Sequence, residues 1–235
     1  MIAFHYHPDI LGAFPQIVAG VIFGQELDNH PTPPALLTAY QEQQDNTRLH
    51  IGDTPMPDLP SVQAWRSAFR SFGVKPTQYR SAIEALLRRL MKHGDIPSIN
   101  TLVDIANLVS IRYTMPVAVF DTRSLELPVC VQFSDGTEHF TTLHQTESVH
   151  PDPGEVIFSD QVKTVIARRW CWRQSAGSAS RADTQSALIT VEALHPDARA
   201  DVESALEDLH SLLHEHSGGK LISGILDQQH PELEI

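Results

Sequence analysis

The chain has 235 residues, 41% of them apolar and 20% charged, enough for a full hydrophobic core without covalent or metal staples. Its two cysteines, Cys130 and Cys171, are too few for a disulfide scaffold, and no CxxC pair is present to hold zinc or exchange thiols. A net charge of −12 argues against a sequence-blind nucleic-acid coat, which needs a positive surface to release counterions.

The first residues lack a basic segment followed by an apolar one, so no secretory signal is expected. No apolar run approaches ~18 residues, so no membrane span is expected and the chain is assigned to the cytoplasm. The run PQIVAGVIFGQEL predicts a strand, with Ile17, Val21 and Phe23 at mostly even spacing and Gly20 marking a bulge. ALLTAYQEQQ predicts a short helix. The proline-rich GDTPMPDLP, residues 52–60, is the best internal boundary.

Ser61 is read as the N-cap of the next helix, whose stripe is Trp65, Ala68, Phe69 and Phe72. Pro76 and Thr77 open another, with Ser81 and Glu84 as a capping box if it begins late. Its buried face is Ile83, Leu86, Leu87, Leu90 and Met91, and Gly94 ends it. Asn100 caps a third helix. Beyond Pro116 the pattern changes to strands: VAVFD, PVCVQF, EVIF, KTVIARRWCWR and ALITVEAL. A last helix is expected from about Pro196 to His216, with Val202, Leu206, Leu209 and Leu213 facing inward. The expected organisation is an N-terminal strand and helix over 1–60 packed on a main domain over 61–216. Residues 217–235 are expected as a loosely held tail.

Positive charge is concentrated in two stretches. Arg66, Arg70, Lys75, Arg80, Arg88, Arg89 and Lys92 surround the single acid Glu84, and Arg168, Arg169, Arg173 and Arg181 follow later. They are either solvated faces or a local patch for a phosphate backbone. In ARRWCWRQ, strand alternation puts Arg168, Trp170 and Trp172 on one face and Arg169, Cys171 and Arg173 on the other. Tryptophans beside arginines either stack bases or aromatic ligands, or form a core pair with arginines reaching outward.

Phosphate-loop, nucleophile-elbow and HExxH patterns are absent, and no cofactor or metal is expected. His210 and His214 lie one helical turn apart, near His216, a spacing that holds a metal only with a further ligand and otherwise marks a wet helix face. His5 and His7 share a strand face. His139, His144 and His150 are each candidate general bases. Asp104 and Asn107 sit one turn apart in an apolar helix, bonded to a neighbouring loop or facing a ligand.

One run is distinctive: Val103, Asp104 and Asn107 on a helix, then Pro116, then Phe120 and Asp121, with Asp183 and Thr184 before Val191 and Glu192. In this order the residues resemble the editing domain of the bacterial phenylalanyl-tRNA synthetase beta chain, the B three/four domain, over roughly residues 61–215. The resemblance implies an α+β fold with a strand-rich, sandwich-like core flanked by helices. It also implies hydrolysis of tyrosine wrongly attached to phenylalanine tRNA. The family's tyrosine-reading glutamate falls on Glu192 and its asparagine on Asn107. Its threonine falls on Ala106, its histidine on Ala118, and its Ala-Gly turn near Trp170 and Cys171. A Trp-Cys pair there is expected to fill space that admits the amino acid.

The expected function is a tRNA quality-control protein that binds an aminoacyl-tRNA and hydrolyses its ester in trans. The alternative is a non-catalytic module for tRNA or a small aromatic metabolite, such as a free aromatic amino acid. The substrate-binding set is Glu192, Asn107, Trp170, Cys171 and Ala118. The RNA-binding set is the first basic stretch with Arg169 and Arg173. Oligomeric state carries no signal in the sequence.

Overall fold

The structure is a computed structural model covering residues 1–235. In chain order the elements are β1 Ile2–Tyr6, α1 Pro8–Ala13, β2 Val18–Gln25, α2 Pro34–Ile51, α3 Pro60–Ser71, α4 Ala82–His93 and α5 Thr101–Tyr113. Then come β3 Val117–Asp121, β4 Val129–Phe133, β5 Phe140–Thr141, β6 Ser148–Val149, β7 Val156–Ser159, β8 Val165–Arg168 and β9 Arg173–Gln174. The chain closes with β10 Ser186–Ala193, α6 Ala198–His216, β11 Lys220–Leu226 and β12 Glu232–Glu234.

Local chemistry explains the helix ends. Asn100 Oδ1 accepts from Val103 N at 3.0 Å and starts α5. Ser81 Oγ accepts from Glu84 N at 3.4 Å and starts α4, which Gly94 ends in a left-handed conformation. Pro76 and Thr77 lie in the turn ahead of α4, outside it. Helix α3 begins one residue before the expected Ser61 cap. Leu59 is its N-cap and Pro60 its first residue, because proline's fixed φ suits that position. Helix α2 runs past the expected short helix to Ile51.

Six strands form one antiparallel-dominated sheet in the order β12-β1-β4-β7-β8-β9, in which only β1 and β4 run parallel. Four form a second, β11-β2-β10-β3. Alternation along β10 sets the layers. Leu188 packs with Phe4, Tyr6, Val131 and Phe158 of the larger sheet, giving a sandwich core. Ala187, Ile189, Val191 and Ala193 point the other way, into a second core built with α2, α4, α5 and α6. The strand-rich sandwich flanked by helices is therefore present. No helix is long and apolar enough to cross a membrane.

Two further expectations change. Residues 217–235 are no loose tail: β11 pairs with β2 from Lys220↔Gln25 to Leu226↔Ala19, and β12 pairs with β1. Each completes the edge of one sheet, so its backbone groups are satisfied only by distant strands. Gly20 is no bulge either, since the β2–β10 register runs unbroken through Gly20↔Val191. A Cβ there would meet Val191 Cγ1 at 2.9 Å and Leu206 Cδ1 at 3.2 Å. The glycine lets α6 lie close on the sheet. Gly20→Val is expected to destabilise the fold by about 1–3 kcal/mol through overpacking. Urea denaturation reads this, and an unchanged midpoint would remove close packing as the reason for the glycine.

Candidate functional site

Glu192 lies on the inter-sheet face of β10, the same side as Leu188 and Thr190, and is 2% exposed. A carboxylate there requires donors. Its Oε1 accepts from Tyr6 Oη, on β1 of the opposite sheet, and from Trp170 Nε1 at 2.9 Å. Both bonds fall on Oε1, so Oε2 is the oxygen without a protein donor. Burial pushes the carboxyl up to about 7 although both hydrogen bonds pull the other way. Burial first, and then the neighbouring Glu192 charge, push the Tyr6 phenol and the Cys171 thiol well above their ordinary values. Cys171 is therefore a thiol and no ready nucleophile.

Trp170 reaches Glu192 from a turn that the sequence reading took for strand. Strand β8 ends at Arg168, and Arg169 and Trp170 follow with φ of 45° and 60°. Such a left-handed pair costs of order 1–3 kcal/mol per residue and needs a brace. Glu155 supplies it. Its carboxylate accepts from Arg168 Nε at 2.8 Å, Arg168 Nη2 at 2.6 Å and Arg169 N at 2.9 Å. Trp170 N donates to Val156 O at 2.7 Å. The indole is fully buried, edge-on to Phe14 and Trp65 with ring centroids 4.9 and 5.2 Å away. Strand alternation therefore fails across this run: Trp170 and Arg169 are buried, and Trp172 is half-buried.

Between α5, β3, β10 and this turn lies a cavity of about 160 Å³. Asn107, Ala118, Trp170, Cys171 and Glu192, drawn from four segments, all line it, as does Ala106. The Trp-Cys pair lines this cavity and leaves it open, with the Trp170 indole packed among Glu192, Phe14 and Trp65. A dry cavity of ~150 Å³ accepts a benzene ring, so this one has the size of one aromatic side chain. Asp104 stays outside, accepting from Thr32 Oγ1 at 2.6 Å, Ile99 N at 2.9 Å and Ser98 Oγ; it ties α5 to the preceding loop.

The basic residues divide. Glu84, fully buried on α4, draws in Arg88 Nε at 2.9 Å, Arg66 Nε at 3.5 Å and Arg80 Nε at 3.9 Å. Those three arginines compensate a buried charge. Arg169 lies over the Tyr79 ring at 3.9 Å and the Trp172 ring at 4.7 Å, paired with Asp152 at 3.5 Å and Glu155 at 3.7 Å. Arg70, Lys75, Arg89 and Lys92 are exposed, and Arg173 is exposed at the cavity rim. No histidine lines the cavity. His210 Nε2 contacts Ser223 Oγ at 3.1 Å, and the His139 and His150 rings lie 4.9 Å apart elsewhere.

Sequence reasoning missed Tyr6 and Glu155. The even spacing of Phe4 and Tyr6 marks a core face, but nothing local assigns the phenol a partner 186 residues away. Glu155 precedes a strand, and only folding places it under the Arg169–Trp170 turn.

A solved structure similar to this chain is an N-terminal fragment of the phenylalanyl-tRNA synthetase beta-subunit from Pyrococcus horikoshii, 13% identical, with a TM-score of 0.47. The match covers 93% of this chain and 50% of that one, so the chain spans about half the fragment's length. No curated protein matches the chain. The B3/4 domain family model matches residues 64–218, which include every predicted site residue but not Tyr6. The chain belongs to the B3/4 domain family.

Proposed function

We propose that this protein binds the aminoacyl end of a tRNA, seats the amino-acid side chain in the cavity beside Glu192, and hydrolyses the ester in trans. The observation that carries this reading is convergence: Asn107, Ala118, Trp170, Cys171 and Glu192 line one cavity of the size of a single ring. The state of Cys171 supports attack by water over a covalent thioester. Glu192, with its carboxyl near 7 and Oε2 without a donor, suits both reading a polar group and moving a proton near neutral pH. Asn107 supplies a second polar contact. The exposed Arg70, Lys75, Arg89 and Lys92 supply the phosphate contacts, on a chain whose overall charge is repulsive to RNA. Binding is accordingly expected to weaken steeply with salt.

The test follows decay of tyrosine-charged phenylalanine tRNA with and without the protein. Faster decay is expected, falling by about 100-fold in Glu192→Gln, the scale of losing one transition-state contact. No acceleration by the wild-type protein would end the hydrolytic reading.

The second reading, a non-catalytic module for a free aromatic amino acid, is favoured by the internal pairing of Arg66, Arg80, Arg88 and Arg169, which leaves fewer cations for RNA. It is expected to show a tryptophan fluorescence change with free tyrosine or phenylalanine, no effect on tRNA decay, and little salt dependence.

A further inference from the structure

Along the cavity wall the chain places a tryptophan against two arginine guanidinium groups. Trp172 and Arg173 both line the cavity. The Arg173 guanidinium lies over the Trp172 ring, 4.5 Å from its centroid, and the Arg169 guanidinium lies 4.7 Å from the same ring. Tyr79 packs edge-on against Trp172 at 4.9 Å and carries Arg169 on its own face at 3.9 Å. Arg169 is 8% exposed and anchored by Glu155 and Asp152. Trp172 is thus held in one orientation by a buried cation and a tyrosine edge before any ligand arrives. Arg173 has neither a carboxylate nor a hydrogen-bonding partner and is exposed to solvent.

We infer that Trp172 and Arg173 form a stacking ledge for the base of a nucleoside whose ester-linked aminoacyl group occupies the cavity. The ledge rests on the reading of the cavity as an aminoacyl pocket and adds a second subsite to it. An aromatic ring and a guanidinium plane are the two surfaces on which proteins stack unpaired bases, through dispersion and cation–π attraction that any base face satisfies. Arg173 serves here as part of the platform more than as a phosphate contact: its guanidinium already lies over the indole. Preorganisation by Arg169 and Tyr79 lowers the ordering entropy of forming the stack.

Two probes separate the subsites: tyrosine amide, and the same tyrosyl group joined by an amide to the 3′ position of adenosine, which resists ester hydrolysis. Their affinities are measured by calorimetry with the intact protein, Arg173→Leu and Trp172→Leu. The wild type is expected to bind the nucleoside-bearing probe about tenfold or more tighter than the amide alone, the scale of one stacked base. Both variants are expected to lose that margin. Arg173 is exposed, so its variant leaves folding intact even if Trp172→Leu does not. Equal affinities for the two probes, or a margin unchanged in Arg173→Leu, would overturn the ledge while leaving the aminoacyl pocket standing. Failure of both probes to bind the wild type would overturn ledge and pocket together.

Discussion

Glu155→Ala is expected to destabilise the fold by about 3–5 kcal/mol, the usual result of leaving one partner of a buried ion pair without the other. Arg168 is 11% exposed and its two bonds to Glu155 are its compensation, so the variant leaves a guanidinium in the sheet without a counter-charge. The same carboxylate holds Arg169 N at the start of the left-handed pair, and the strain of that pair is then borne without its brace. Trp170 sits on the turn, so its bond to Glu192 loosens as well, and tryptophan emission is expected to shift to the red in the folded baseline. Asp152→Ala is the control. Asp152 meets Arg169 at 3.5 Å but is 81% exposed, and a pair so open to solvent contributes about 0–1 kcal/mol. Chemical denaturation of the two variants decides the matter. If Glu155→Ala costs no more than Asp152→Ala, the turn is held by something other than Glu155.

Glu192→Gln is expected to stabilise the protein at pH 8 by about 3 kcal/mol and to change it little at pH 5. Burial raises the folded-state pKa of this carboxyl from 4.5 to about 7. Between those values the folded chain binds a proton that the unfolded chain releases. Stability from this group is therefore fully present below about pH 4.5 and declines as pH rises, until the carboxyl ionises in both states above about pH 7. Glutamine keeps the Oε1 acceptor for Tyr6 and Trp170 and carries no charge, so it mimics the protonated acid at every pH. Denaturation midpoints of both proteins from pH 5 to 8 test this through their difference, from which the other titrating groups cancel. A constant difference across that range would mean that Glu192 is already ionised at pH 5 when folded. The gain in stability accompanies the loss of hydrolysis that the proposed function expects of the same variant.

Local features were legible in the chain and long-range ones were not. Ser81, Gly94 and Asn100 act within one helical turn, so their capping roles follow from residue type and spacing alone. The alternation of Leu188, Thr190 and Glu192 against Ala187, Ile189 and Val191 follows from the two-residue period of a strand. The ordered run from Val103 to Glu192 pointed to the family, and its residues Asn107, Ala118 and Glu192 meet at one cavity.

The rest depended on partners far along the chain. Arg66, Arg80 and Arg88 read as a phosphate patch because a sequence does not say that Glu84 is buried among them; burial comes only when α4 packs on α2 and α5 and Arg66 of α3 closes over the carboxylate. ARRWCWR read as a strand because arginine and tryptophan tolerate one, and only Glu155 makes a left-handed turn there affordable. Residues 217–235 read as a tail because an edge strand has no local signal beyond a short apolar run, and β1 and β2 supply the pairing.

By itself the sequence determined α4 and α5 with their caps Ser81, Gly94 and Asn100, the alternation of the central strands, and the family. Those properties arise from covalent geometry and nearest-neighbour chemistry. Only the tertiary structure decided that Tyr6 secures Glu192, that Cys171 stays a thiol, and that Arg66, Arg80, Arg88, Arg168 and Arg169 pair with the buried Glu84 and Glu155. Charge state and hydrogen bonding depend on desolvation, which exists only once distant segments have closed over the site.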